Sequence, residues 1–142
     1  MLKGIPAILP PELLKILMEM GHGDEIVLAD GNFPSASIAQ RLVRCDGHGV
    51  PALLDAVLKL LPLDSYAQAQ IALMQVVPGD TVETPIWDVF KGIIIKHEPK
   101  NNKIENIERF AFYERAKKAY AVVATGEKAL YANIILKKGV VV

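Results

Sequence analysis

Met20-Gly21-His22-Gly23-Asp24-Glu25-Ile26-Val27-Leu28-Ala29-Asp30 is the stretch from which the fold is read. Its apolar run, Ile26 to Ala29, lacks the polar alternation of a half-exposed strand and has the pattern of a strand covered on both faces. His22 precedes the run and Asp30 closes it, so ionisable side chains stand at both ends of one short strand. An imidazole ordinarily titrates at about 6.5 and moves protons either way without special tuning. A carboxylate accepts several hydrogen bonds, so it can orient hydroxyl groups or act as a base. The glycines beside His22 give the ring little steric cover, and both groups could face one small ligand.

Upstream, Pro11 suits the first turn of a helix, and Leu13, Leu14, Ile16, Leu17 and Met20 recur at helical spacing until Gly21. Downstream, Asp30 to Pro34 forms an exit loop, and Val50 to Leu61 is a helix with Leu53, Leu54, Val57, Leu58 and Leu61 inward and Asp55 paired with Lys59. Ile71 to Val77 reads as a second buried strand ended by Pro78-Gly79. Pro85 to Ile95 reads as a helix turning Ile86, Val89, Phe90 and Ile93 inward. Phe110, Tyr113, Ala116 and Ala119 share a helical face opposite Glu114, Arg115, Lys117 and Lys118; Tyr120 to Ala124 and Asn133 to Leu136 are further strands. The main loops are Pro78-Gly79-Asp80 and Lys96 to Lys103. This alternation predicts an α/β fold, a single layered domain over 1–142 with a largely parallel central sheet flanked by helices. Ligands of such sheets bind beyond the strand ends, which makes Asp30 a candidate.

Composition narrows the function. The 142 residues suffice for one hydrophobic core. Sixteen basic and sixteen acidic residues cancel, so no broad positive field exists to gather phosphates, and nucleic acid is not an expected partner. The single cysteine, Cys45, excludes an intrachain disulfide and reads as a small buried hydrophobe. A mean hydropathy of +0.26 leans toward extra burial at subunit contacts. Lys3, Pro6, Pro10 and Pro11 interrupt the first residues, so neither a signal peptide nor a membrane helix is expected there, and a cytoplasmic location follows as an expectation.

A metal reading would take His22, Asp24 and Asp30 as ligands with His48 or His97, but no His-Glu-x-x-His, paired-cysteine spacing or dense carboxylate loop supports it. No metal is expected. No glycine-rich phosphate loop or nucleophile elbow appears either. Arg109 opens a charged, aromatic segment, and Tyr131-Ala132-Asn133 supplies a phenol and an amide suited to a polyhydroxylated ligand and equally at home in a loop.

Taken together, Lys3-Gly4-Ile5, Pro11 to Leu14, Met20 to Asp30 and Asn32-Phe33-Pro34 closely resemble the ribose pyranase and fucose mutarotase family. Leu63-Asp64-Ser65-Tyr66, Arg109 to Lys118, Val122 to Glu127 and Tyr131 to Gly139 resemble its L-fucose branch, with Val82 to Glu108 the least distinctive part. The resemblance implies an isomerase that opens and recloses a sugar hemiacetal without a cofactor. It implies His22 as the proton-transferring residue and Asp30, Arg109, Tyr131 and Asn133 as contacts to a monosaccharide, L-fucose. It also implies a ring-like homo-oligomer with sites between subunits, where the apolar end Val140-Val141-Val142 could be covered. D-ribose pyranase chemistry and a non-catalytic sugar-binding role are the alternatives. Two departures stand out: the family commonly has glycine where Ala132 stands, which would strain the loop if that position required a positive φ, and some relatives have histidine at Asn32.

Overall fold

The computed structural model describes residues 1–142. Pro10 and Pro11 open α1 (Pro11–Glu19), which buries Leu13, Ile16 and Leu17 and ends as Met20 leaves helical backbone. β1 (Glu25–Ala29) follows after a short turn. A single helical turn, α2 (Ser35–Ile38), then leads to β2 (Leu42–Cys45). α3 (Val50–Leu58), β3 (Ile71–Met74), α4 (Pro85–His97), β4 (Ile104–Ile107), α5 (Arg109–Lys118), β5 (Ala121–Thr125) and β6 (Ile134–Lys137) complete the chain.

The six strands form one sheet in the order β2-β5-β1-β6-β3-β4. β1 lies parallel to β5, β5 to β2 and β3 to β4, whereas β6 is antiparallel to both β1 and β3. Five strands therefore point one way and β6 runs against them, which bears out the largely parallel sheet. The reversal has a simple cause. A parallel return needs a crossover of about a dozen residues or more, usually helical, and the link from Thr125 to Ile134 is shorter and contains no helix.

Side chains alternate across the strands, so each run feeds two cores. Ile26, Leu28, Ile71, Leu73, Ile134 and Leu136 pack with α1, α3 and α4 on one face. Val27, Ala29, Ala72, Met74, Val122 and Ile135 pack with Phe112 and Ala116 of α5 on the other. Cys45 lies in the first core, where burial pushes its thiol above the usual range.

Several expectations are corrected. β2 and β4 were not foreseen: both are edge strands of four residues, and in β2 only Val43 and Cys45 point inward, too short an alternation to stand out. β3 stops at Met74, not Val77. On α5 the buried aromatic is Phe112; Phe110 is 66% exposed. Val89 of α4 is likewise exposed, and Ile94 takes the inward position. Arg115 is not a free surface charge but lies between Glu25 and Glu105. Asp55 pairs with Lys96 and His97 of α4 instead of Lys59, joining two helices rather than bracing one. No helix is long and apolar enough to cross a membrane. Val141 and Val142 are exposed on the isolated chain.

Candidate active site

The chain leaves β1 toward β2 on one side of the sheet and leaves β3 toward β4 on the other. Loops that diverge in this way open a crevice beyond the carboxyl ends of the strands, the usual ligand position of an open α/β sheet. Here the start of the reversed strand β6 fills the gap between them. The resulting cavity, of about 330 Å³, is lined by Asp30, Asn32, Phe33, Met74, Val77, Asp80, Arg109, Tyr113, Leu130, Tyr131 and Asn133. Its volume is at the low end for small-molecule sites. Asp30, Arg109, Tyr131 and Asn133, far apart in sequence, thus meet around one space.

Asp30 sits at the carboxyl end of β1 and is buried. Its Oδ1 accepts from Asn32 N–H at 3.0 Å and its Oδ2 from Ala132 N–H at 3.3 Å. Its own N–H donates to Asn133 Oδ1 at 2.8 Å. Burial pushes the Asp30 carboxyl above its ordinary range, against the opposing pull of the Asn32, Ala132 and Phe33 N–H groups and the Asn133 amide. Each carboxylate oxygen retains acceptor capacity for a ligand hydroxyl, and Asn133, with its oxygen committed, offers its NH₂.

Tyr131 has φ 56°, the only non-glycine residue in the left-handed region. That backbone is uncommon for an aromatic residue and persists only where neighbours fix it. Here Trp87 Nε1–H donates to the Tyr131 carbonyl at 2.8 Å, while the phenol donates to Asp80 Oδ2 at 2.7 Å. The positive φ falls on Tyr131 and not on Ala132, so the expected strain at Ala132 does not arise. Asp80 raises the Tyr131 phenol above its usual range.

Arg109 begins α5, whose first turn is capped by the Glu108 carboxylate accepting from Ala111 N–H at 3.0 Å. The Phe110 and Ala111 N–H groups hold the Glu108 carboxyl below its ordinary range. Arg109 Nε donates to Tyr113 Oη at 3.1 Å, and the guanidinium lies 5.4 Å from the Tyr113 ring centroid. That hydroxyl keeps the guanidinium firmly protonated. Arg109 makes no ion pair, so a cation stands at the mouth of the cavity ready for a ligand oxygen.

His22 lies elsewhere. It precedes β1 whereas Asp30 follows it, and a five-residue strand spans about 16 Å at roughly 3.3 Å per residue. The expectation that both face one ligand is therefore corrected for a single chain: they occupy opposite rims of the sheet. Gly21 N–H donates to Asp24 Oδ2 at 2.8 Å, Gly23 takes φ 87°, and Gly23 N–H donates to the Lys138 carbonyl at 2.8 Å. The turn is fixed and the ring stands out from it. His22 Nε2 is 2.9 Å from Asp64 Oδ1, with the ring side chain 45% exposed and Asp64 only 8%. Burial alone would raise the Asp64 carboxyl, but hydrogen bonds from His22 and Tyr66 N–H, aided by His22 and Lys137 charge, outweigh it and leave the group below its ordinary range. Asp64 is then an acceptor, so Nε2 carries the proton between them.

Asp64, Asp80 and Tyr113 were absent from the sequence candidates, although Asp64 and Asp80 lie in segments already singled out there. His97 and Tyr120 do not line the cavity: His97 pairs with Asp55 at 2.7 Å, and Tyr120 donates to Glu19 at 2.7 Å. The metal set His22, Asp24 and Asp30 is divided between the two rims, and no three His, Cys, Asp or Glu side chains are placed to hold a metal ion. A second cavity of about 320 Å³ flanks Asp30 on the β5–β2 side, but its arginine, Arg44, is bound twice at 3.0 Å by Asp46.

The mixed sheet, the buried carboxylate and the uncommitted donors and acceptors at the crevice define a class: an α/β protein with a part-apolar cavity of small-molecule size that presents several hydrogen-bonding groups. Residues 3–141 match the RbsD / FucU transport protein family, and the chain belongs to it. Among curated relatives, the fucose mutarotase of Homo sapiens is 57% identical over 145 residues, covering 98% of this chain and 94% of that protein. The crystal structure of the fucose mutarotase in complex with L-fucose from Streptococcus pneumoniae superposes with a TM-score of 0.94 at 59% identity, covering 99% of this chain and 100% of that one. Bacillus subtilis RbsD complexed with D-ribose shares the fold at a TM-score of 0.71 and 22% identity, covering 94% and 95% of the two chains.

Proposed function

We propose that the chain interconverts the α and β anomers of L-fucose. The observation that carries this reading is the convergence of Asp30, Arg109, Tyr131 and Asn133 on one cavity in a chain that matches fucose mutarotases along nearly its whole length. The likeness to the ribose-binding relative extends to the fold alone.

The chemistry asks little of the site. A base removes the proton from the anomeric hydroxyl, the C1–O5 bond breaks as the C1 carbonyl forms, and an acid protonates O5. Rotation about C1–C2 presents the other carbonyl face, and the reverse transfers reclose the ring. A positioned acid or base contributes about 10² to 10⁴-fold, sufficient for a reaction that already proceeds in water.

Asp30, Arg109, Tyr131 and Asn133 hold the sugar hydroxyls, and His22 transfers the proton. Because His22 lies on the far rim of its own sheet, its imidazole enters the cavity of a neighbouring copy in a homo-oligomer, with Asp64 fixing the ring from behind. The half-exposed ring and the exposed Tyr66, Phe110, Leu130 and Val141 near the two rims support such an assembly.

Saturation-transfer NMR on equilibrated L-fucose tests the reading. Exchange between α and β resonances well above the buffer rate is expected. Binding shifts without faster exchange would make the chain a sugar-binding protein instead.

A further inference from the structure

The turn Val77-Pro78-Gly79-Asp80 is explained neither by the sheet nor by the sugar-holding residues. Asp80 N–H donates to the Val77 carbonyl at 3.0 Å, and Gly79 takes φ 89°, the conformation required at the third residue of such a turn. Asp80 Oδ1 accepts from Val82 N–H at 3.0 Å, which fixes the carboxylate within its own loop. Its Oδ2 receives the Tyr131 phenol proton at 2.7 Å, and Val77 N–H donates to the same phenol oxygen at 3.3 Å. Asp80, Val77 and Tyr131 all line the cavity.

From this geometry we infer that Asp80 is a positioning residue that sets the polarity of the Tyr131 phenol, making it an acceptor toward the bound sugar. The phenol has one proton and two lone pairs. Asp80 takes the proton and Val77 N–H takes one lone pair, so what remains for a ligand is a single acceptor site, matched to a sugar hydroxyl that donates. The loop after β3 thereby decides how the left-handed Tyr131 reads the sugar, and a ligand with an ether or carbonyl oxygen at that place is refused for want of a donor. The raised phenol titration agrees with a proton held by the carboxylate.

The inference rests on the proposed sugar chemistry, and the test separates the two. Tyr131 is followed by the ¹³Cζ resonance in labelled protein across alkaline pH, in the native chain and in Asp80→Asn and Asp80→Glu. The Tyr131 titration is expected to move to lower pH in Asp80→Asn and to be largely restored in Asp80→Glu. L-fucose affinity, read from protein chemical shifts, is expected to fall about 5- to 20-fold in Asp80→Asn, corresponding to a coupling within the usual range for hydrogen-bonded neighbours, and no further in Asp80→Asn combined with Tyr131→Phe than in Tyr131→Phe alone. An unmoved Tyr131 titration, or losses that multiply in the double variant, overturns the role of Asp80. A native chain that leaves anomer exchange at the buffer rate overturns the mutarotase reading instead, while the titration still decides the Asp80–Tyr131 contact.

Discussion

His22 and Asp30 flank the same strand, β1, yet stand on opposite rims of the sheet, so the imidazole and the buried carboxylate cannot meet on one ligand within a single chain. In the assembly proposed above, β1 would therefore serve two half-sites, each facing a different neighbour.

The half-sites have distinguishable kinetic signatures. His22→Ala removes the proposed proton-transfer group and is expected to lower kcat by about 10² to 10⁴-fold with KM little changed. Asp30→Ala removes two acceptor sites from the cavity and is expected to raise KM. Anomer exchange measured by NMR over a range of L-fucose concentrations separates these effects, and a KM defect alone in His22→Ala would assign that ring to binding.

Arg115 ties three elements together. Its Nε and Nη2 donate to Glu25 at 3.0 and 2.6 Å, and its Nη1 donates to Glu105, joining α5 to β1 and β4. Arg115→Met leaves two carboxylates facing each other without a cation and is expected to cost about 2 kcal/mol, less than a fully buried pair because Glu105 is partly exposed. Urea unfolding checks it, and a loss below about 0.5 kcal/mol would demote the triad to a surface pair.

Asp64 gives the His22 contact a pH signature. Its carboxyl lies below the ordinary range in the folded chain, so its contribution to stability is complete above the unfolded value of about 3.9 and is lost as pH falls through the folded one. The part of the stability difference between the native chain and Asp64→Asn that the carboxylate supplies should be present at about pH 5 and be lost on acidification below about 4. A difference that instead widens as pH falls below about 4 would mean that burial, not hydrogen bonding, sets the titration of Asp64.

Ala132 is fully buried, and the left-handed residue beside it is Tyr131. Ala132→Gly therefore relieves nothing and loosens the unfolded chain, at an expected cost of about 0.5–1 kcal/mol in chemical denaturation. Stabilisation by the glycine would place the strained backbone at Ala132.

The buried centre of the fold was legible because β1 and β5 are apolar on both faces and because proline and glycine punctuate the helices. The edges were not. β2 exposes one face and one edge, and its four residues of alternation fall below what periodicity can separate from loop; β4 has no alternation at all, since none of its residues is fully buried and Ile104 and Ile107 pack against opposite cores. Phe110 and Phe112 are equally apolar, and only the packing of α5 decides which is inward. At the site, Asp30, Tyr131 and Asn133 could be named from motifs, but local sequence does not encode which rim of the sheet a residue occupies once β6 runs backward. Asp64 and Asp80 stayed hidden for a related reason: each acts through a residue 42 or 51 positions away.

The most direct test is complementation between two impaired variants, assayed at an L-fucose concentration well below the raised KM of Asp30→Ala, where both parents exchange anomers slowly. His22→Ala and Asp30→Ala, prepared separately, are unfolded together and refolded as a mixture, and L-fucose anomer exchange is measured by saturation transfer. Mixed assemblies should regain a substantial fraction of native exchange, because some interfaces then pair an intact His22 from one copy with an intact Asp30 cavity from the next. A well-folded mixture no more active than the average of its two parents would contradict a site shared between chains.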